Sequence, residues 1–205
     1  PSMPGKDFQG KTSAGPHGDF IAEFDHIVGA LMDKLESLGL AENTLVILTS
    51  DNGPEVTSVV NMRKDYGHDG ARPWRGMKRD QWEGGHRVPF IARWPGTVEA
   101  GSNTPQTTSL TDLMASCASI VGSKLPDNAA EDSFDMLPVL TGKDGGKAIR
   151  EFTLHQTWTL QLAIRRGDWK YLDHRGSGGN NYGKRSDLAP YILPETETDA
   201  PGQLY

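Results

Sequence analysis

The chain has 205 residues, 36% of them hydrophobic, and a formal net charge of −6. That length supports one good core, or a core with a small appendage. No apolar run is long enough to span a membrane, and an acidic chain without a basic, aromatic-interleaved stripe argues against a nucleic-acid partner.

The first residues, Pro1-Ser2-Met3-Pro4, open in a loop with no initiator Met and no targeting segment. A fragment or processed product is expected, and the compartment cannot be read from this end. Asp19 is placed to cap a helix running to about Leu38, with Gly39 as its stop. Phe20, Phe24, Val28, Leu31, Leu35 and Leu38 repeat at steps of three and four, giving one apolar face. His26 falls beside that stripe and reads as structural.

Residues 44–50, Thr-Leu-Val-Ile-Leu-Thr-Ser, form an apolar, β-branched run that predicts a strand buried on both faces, as in a parallel sheet. Asp51-Asn52-Gly53 ends it. Ligands of open α/β sheets bind beyond the carboxyl ends of strands, where a carboxylate and an amide oxygen are hard ligands for Ca²⁺ or Mg²⁺. The same three residues are also common turn chemistry.

Residues 51–87 predict a long, ordered, irregular stretch. From Arg63 to Arg93 there are eight Lys/Arg against four Asp/Glu, about +4 within an acidic protein, a pattern that focuses field onto an anion. Residues 88–94 predict a second strand, with Pro89 pointing to an edge or early position. Ser109-x-x-Asp112 reads as a capping box for a helix through Val121. Cys117 lies on it at helical spacing with Leu113, Met114, Ile120 and Val121, which predicts a small buried residue. As the lone cysteine it excludes an intrachain disulfide. After a polar linker at 143–147, strands are expected at 152–155, 162–165 and 169–172, the last two joined by a turn at Arg166-Gly-Asp168. Residues 175–203, rich in Gly, Asn and Pro, carry no readable periodicity.

Arg75-Gly-Met-Lys78, followed by Glu83-Gly-Gly-His-Arg-Val-Pro89, is the second informative stretch. Paired glycines mark backbone that turns sharply or approaches something closely. A loop lysine can offer a point charge to an anion. Together with residues 8–11, 18–29, 43–54, 75–96 and 163–171, in that order and spacing, these motifs resemble the type I, formylglycine-dependent sulfatases of the alkaline-phosphatase superfamily. The resemblance implies an α/β fold, a partial alkaline-phosphatase-like α/β/α sandwich. Residues 1–145 would be the C-terminal part of that core, and 146–205 a small, truncated antiparallel subdomain. It further implies Asp51 and Asn52 as two ligands of a single Ca²⁺, and Lys78 as the catalytic group that contacts sulfate oxygens and stabilises leaving-group charge. His68 and His155 would line the substrate pocket. Glu83, Gly84, Gly85 and Arg87 would be loop scaffold.

The family's Cys/Ser-x-Pro-x-Arg motif is not in the sequence, since Cys117 is followed by Ala118-Ser119-Ile120. The expectation is therefore a C-terminal portion of a sulfatase, with the formylglycine and the remaining Ca²⁺ ligands in a missing N-terminal half. Such a piece would be inactive alone and would self-associate through exposed sheet surface. The expected substrate is an aryl sulfate or a sulfated carbohydrate. A periplasmic, secreted or lysosomal-type compartment follows from the resemblance. The rival readings are a phosphatase or phosphodiesterase of the same superfamily, and a non-catalytic module for anionic glycans.

Overall fold

The computed structural model describes residues 3–186, 188–191 and 199–205. Helix α1 spans Gly15–Ser37, starting four residues before the expected cap. Pro16 is preorganised for the first turn. Asp19 does not cap it; the carboxylate turns back onto the preceding loop and accepts from Gly10 N and Thr12 N, both at 2.7 Å. The apolar stripe forms as expected but remains largely exposed, with Phe20, Phe24, Leu31 and Leu38 all open to solvent.

Strand β1 (Val46–Thr49) pairs with β2 (Phe90–Arg93) in a two-stranded sheet, in the register Val46↔Arg93 to Thr49↔Phe90. The pairing is antiparallel, which corrects the parallel strand expected here. β1 is half-buried throughout, not enclosed. An apolar run reports that both faces are covered to some degree, and carries no information on strand direction.

Between these strands the expected irregular stretch contains α2 (Val56–Tyr66) and the single turn α3 (Glu83–His86). Glu55 caps α2 through Val56 N, and Gly67, at φ 64°, closes it in a left-handed C-cap. Val56, Val59, Val60 and Met62 bury one face completely. Further on, Ser109 and Asp112 form the capping box that their spacing predicts, ahead of α4 (Leu113–Ile120). Cys117 on α4 is exposed, which corrects its expected burial. The face of α4 turned inward is the one carrying Ser116, whose hydroxyl donates to Asp112 O and accepts from Met136 N, just before α5 (Leu137–Leu140).

The C-terminal strands β3 (Thr153–Gln156), β4 (Leu162–Arg166), β5 (Trp169–Leu172) and β6 (Gln203–Leu204) form an antiparallel sheet in that order. The sheet was expected, but as a separate subdomain, and that is corrected. Ala163 of β4 and Leu172 of β5 share one core with Val56, Val59 and Val60 of α2, Met77 and Trp82. A buried ion pair, with Arg150 donating to both oxygens of the fully buried Asp112, ties the linker to the cap of α4. Two regions sharing a core and a buried salt bridge are one folding unit.

Candidate functional site

The two informative motifs meet. Gly53 N donates to Gly85 O at 2.9 Å and Lys78 N to Pro54 O at 2.9 Å, so the turn after β1 is bonded directly to the loop 75–87. The approach is too close for side chains: a Cβ at Gly53 would lie 1.8 Å from Gly84 O, and one at Gly85 would lie 1.9 Å from Asp80 O. This is the physical reason for glycine at both places.

The loop is also fastened from behind. The buried Asp80 accepts from Met77 N, Asn180 and the Tyr182 hydroxyl. Burial holds its carboxyl above the usual range in spite of these donors. Gln81, equally buried, donates from its amide to His155 O and Gln161 O, while its backbone N donates to Ser177 O.

In front of the loop lies a cavity of about 460 Å³, lined by Asp51, Glu83, His86, Arg87, His155 and Arg165, with the segment 104–110 forming another wall. Its size lies within the range of small-molecule sites. Glu83 organises the charges. Its carboxylate receives Arg165 at 2.9 Å, Lys170 at 3.0 Å and Arg87 at 3.3 Å. Burial alone would raise Glu83, but Lys170 and Arg165 hold it below its ordinary value. Three cations thus neutralise Glu83 in excess, while Asp51 on the same cavity offsets one of them.

Two histidines complete the cluster. His86 and His155 stack with ring centroids 3.8 Å apart, and the Lys170 ammonium lies against His86 Nε2. Burial, the neighbouring imidazole and Lys170 push His86 down to about 3. Burial and Lys170 push His155 down to about 4. Both rings are neutral at pH 7. His155 Nδ1 is buried without a hydrogen-bond partner among the described residues. Such an atom can offer or accept one bond to a bound molecule.

Of the residues singled out from the sequence, Asp51 and His155 share this cavity. Asn52, Lys78 and His68 do not line it. Asn52 donates to Asp51 Oδ1 at 2.8 Å. The Lys78 ammonium stands 3.8 Å from Glu55, which is also held by Arg79. His68 is exposed just beyond α2, its backbone N bonded to Met62 O. Arg165, Glu83, His86 and Arg87 were missed as cavity residues. The available signal was the alternation along β4, where Ala163 turns into the core and Arg165, two residues on, faces Thr153 of β3.

The Ca²⁺ expectation is corrected here. Among the described residues no group of three or more His, Cys, Asp or Glu is arranged to hold a metal ion. Asp51 and Asn52 are hydrogen-bonded to each other, where a Ca²⁺ site needs six to eight oxygens converging on one point. The residues present do not fit the group.

A family model described as Sulfatase matches residues 4–123. The chain is 35% identical over 92% of its length to the N-acetylgalactosamine-6-O-sulfatase of Bacteroides thetaiotaomicron, and 40% identical over 74% of its length to human arylsulfatase A. These matches span 37% and 28% of the relatives, so the chain covers about a third of their length. A solved Bacteroides thetaiotaomicron structure, described for the metabolism of multiple glycosaminoglycans, superposes with a TM-score of 0.81 at 33% identity. That superposition covers 100% of this chain and 41% of the other. The PsFucS1 sulfatase from Pseudoalteromonas superposes with a TM-score of 0.70 at 35% identity, over 83% of this chain and 33% of its own.

These matches correct two further expectations. Likeness to the family runs along the whole chain in one alkaline-phosphatase-like sulfatase fold, not a C-terminal portion with an appended subdomain. Nothing in them calls for a nucleophile and a metal site supplied by a separate N-terminal half, and they lend no support to the inactivity inferred from that division.

Proposed function

The chain belongs to the sulfatase family, and from that premise we propose that the protein hydrolyses sulfate esters of carbohydrates, binding the anionic ester in the cavity between Asp51 and Arg165. The observation that carries this reading is the bonded junction of the Asp51–Pro54 turn with the loop 75–87. It sets a concave site beyond the carboxyl end of β1, where Arg87 and Arg165 stand in the lining beside Asp51 and Glu83. The names of the relatives supply the substrate class, since one is a sulfatase of N-acetylgalactosamine.

In the reaction, water oxygen ends on sulfur, the sulfur–oxygen bond to the sugar breaks, and a proton ends on the alcohol. Negative charge moves toward the bridging oxygen, so fixed positive groups lower the barrier. Arg165 and Arg87 are held in place by Glu83 and lose little freedom on binding. Neutral His155 offers its unpartnered nitrogen to an ester oxygen without adding charge. Lys78 is assigned the leaving-group side of the ester. To act there it leaves Glu55, a contact of only 3.8 Å between half-exposed groups. His68 is assigned an outer contact to the sugar. A periplasmic, secreted or lysosomal-type compartment belongs to the same proposal. No described helix is long and apolar enough to cross a membrane.

The test is release of sulfate from an aryl sulfate and from 6-O-sulfated N-acetylgalactosamine, by the wild type and by Arg165→Ala and Lys78→Ala. Sulfate release that falls about 100-fold or more in either variant supports the reading. Release of phosphate from phosphate esters with none from sulfates overturns it, as does full activity in both variants.

A further inference from the structure

Lys170 is a buried charge to which the reaction above gives no part. Alternation along β5 leaves Trp169 and Tyr171 exposed and turns Lys170 inward with Leu172. A lysine is almost never fully buried unless its ammonium is paired. Here the ammonium donates to Glu83 Oε1 at 3.0 Å and lies against His86 Nε2. The backbone is fixed as well: Lys170 N donates to Tyr205 O and Tyr205 N to Lys170 O, both at 2.9 Å. Burial lowers Lys170, and the Glu83 carboxylate opposes that. Glu83 and His86 line the cavity, whereas Lys170 does not. Its influence on a bound molecule therefore passes through those two partners.

The contact with His86 decides where that ring keeps its proton. An ammonium has three donors and no acceptor, so an imidazole nitrogen meets it only by accepting. Nε2 also lies 3.1 Å from Gln81 O, which asks the same nitrogen to donate. It cannot do both. A bond from an ionised donor is roughly twice as strong as a neutral one, so Nε2 accepts from Lys170. His86 is neutral at pH 7, because burial, His155 and Lys170 all hold it down. Its single ring proton is then on Nδ1. The stacked His155 ring, inclined by only 16°, holds the plane of His86. With Nε2 committed to Lys170, the Nδ1–H is what His86 offers to a molecule in the cavity.

We propose that His86 is a catalytic residue of this cavity, donating from Nδ1 to an oxygen of the bound sulfate ester, and that Lys170 is the positioning residue that fixes its tautomer. A neutral imidazole serves as such a donor without giving up its proton. Glu83 anchors both ends of the arrangement, holding Lys170 behind the ring and Arg165 beside it. This inference rests on the sulfate-ester reading and adds to it a group that the sequence motifs do not mark.

The first measurement is the tautomer of His86 in the wild-type protein, by two-bond N–H correlation NMR of labelled histidine, which needs no variant to fold. The Nδ1–H form is expected, and the Nε2–H form overturns the proposal. Lys170→Met should turn the ring to the Nε2–H form, toward Gln81 O, and Lys170→Arg should restore Nδ1–H; an unchanged tautomer in Lys170→Met removes the positioning role. With an aryl sulfate, His86→Ala is expected to lower kcat about 100-fold with little change in KM, the mark of a contact made in the transition state. His86→Asn, whose amide can stand where Nδ1 does, should recover part of it. A folded His86→Ala with unchanged kcat overturns the catalytic role. If no ester is hydrolysed, the sulfatase reading falls by itself, and titration with inorganic sulfate still decides this one. A shift of the His86 Nδ1–H signal supports the donor, and a silent signal overturns it.

Discussion

Helices α1 and α2 are opposites. α1 has 23 residues, a clean apolar stripe and a proline start, and its spacing announces it; yet only Gly15 and Asp19 of it are buried. α2 has 11 residues, opens on Val-Thr-Ser-Val-Val with four β-branched residues in five, and hides in a stretch that reads as loop; yet Val56 and Val59 are wholly enclosed and anchor the core. Periodicity reports amphipathicity, which is a property of one segment. Burial depends on what the rest of the chain brings to that face. Here the loop 75–87 and strands β4 and β5 cover α2.

The largest effect that would test this contrast lies in the covering loop. Gly85→Ala puts a Cβ into the Asp80 carbonyl, backbone against backbone, and is expected to cost upwards of ~4 kcal/mol, with little folded protein recovered. Chemical denaturation of the soluble fraction reads it. Next, Val59→Ala in α2 should cost about 2 kcal/mol, while Phe24→Ala in α1 should cost under ~0.5 kcal/mol in this chain. Equal losses would show that α1 is covered in solution and end the comparison.

The stacked histidines give a pH-dependent effect of the same order as the core truncation. Folded His155 titrates at about 4, against 6.5 for the free group. Below pH 6.5 the unfolded chain takes up a proton that the folded protein refuses, so stability falls as the pH drops from about 6.5 to about 4 and then levels for this group. The loss is on the order of 3 kcal/mol. His155→Gln should flatten the dependence of Tm on pH across that window, and an unchanged slope would remove His155 as its source. The smallest effect is at the cap of α2. Glu55→Ala removes the contact to Val56 N and the paired bonds to Arg79, on a surface where salt screens charge. About 0.5–1 kcal/mol is expected, shrinking at high salt.

Much of the site was legible as motif and little of it as geometry. The paired glycines 84 and 85 announce a close approach, and the structure shows Gly53, which reads only as turn chemistry, to be what approaches them. The capping box at Ser109 was readable because it is local, set by residues three apart. The antiparallel pairing of β1 with β2 was not, since direction depends on a partner 41 to 47 residues away. Lys78 stood out for its loop and its charge, while Arg165 passed as one strand residue among many; only the pairing of β4 with β3 turns it toward the cavity. From the sequence Glu83 reads as scaffold, because a lone glutamate on a glycine-rich turn shows nothing of the three cations that converge on it in the fold.

Gln81 has a consequence for how this site comes into being. Its amide waits for carbonyls 74 and 80 residues downstream, and its neighbours Asp80 and Trp82 wait for Asn180 and Gln203. Contacts of such sequence separation form slowly, because a long loop must close before any of them is rewarded. On the ribosome, where synthesis runs at about 5–20 residues per second, the loop 75–87 emerges seconds before its buried polar groups have partners. The cavity wall is thus among the last parts of this chain to become solid, and the first place where a chaperone would find something to hold.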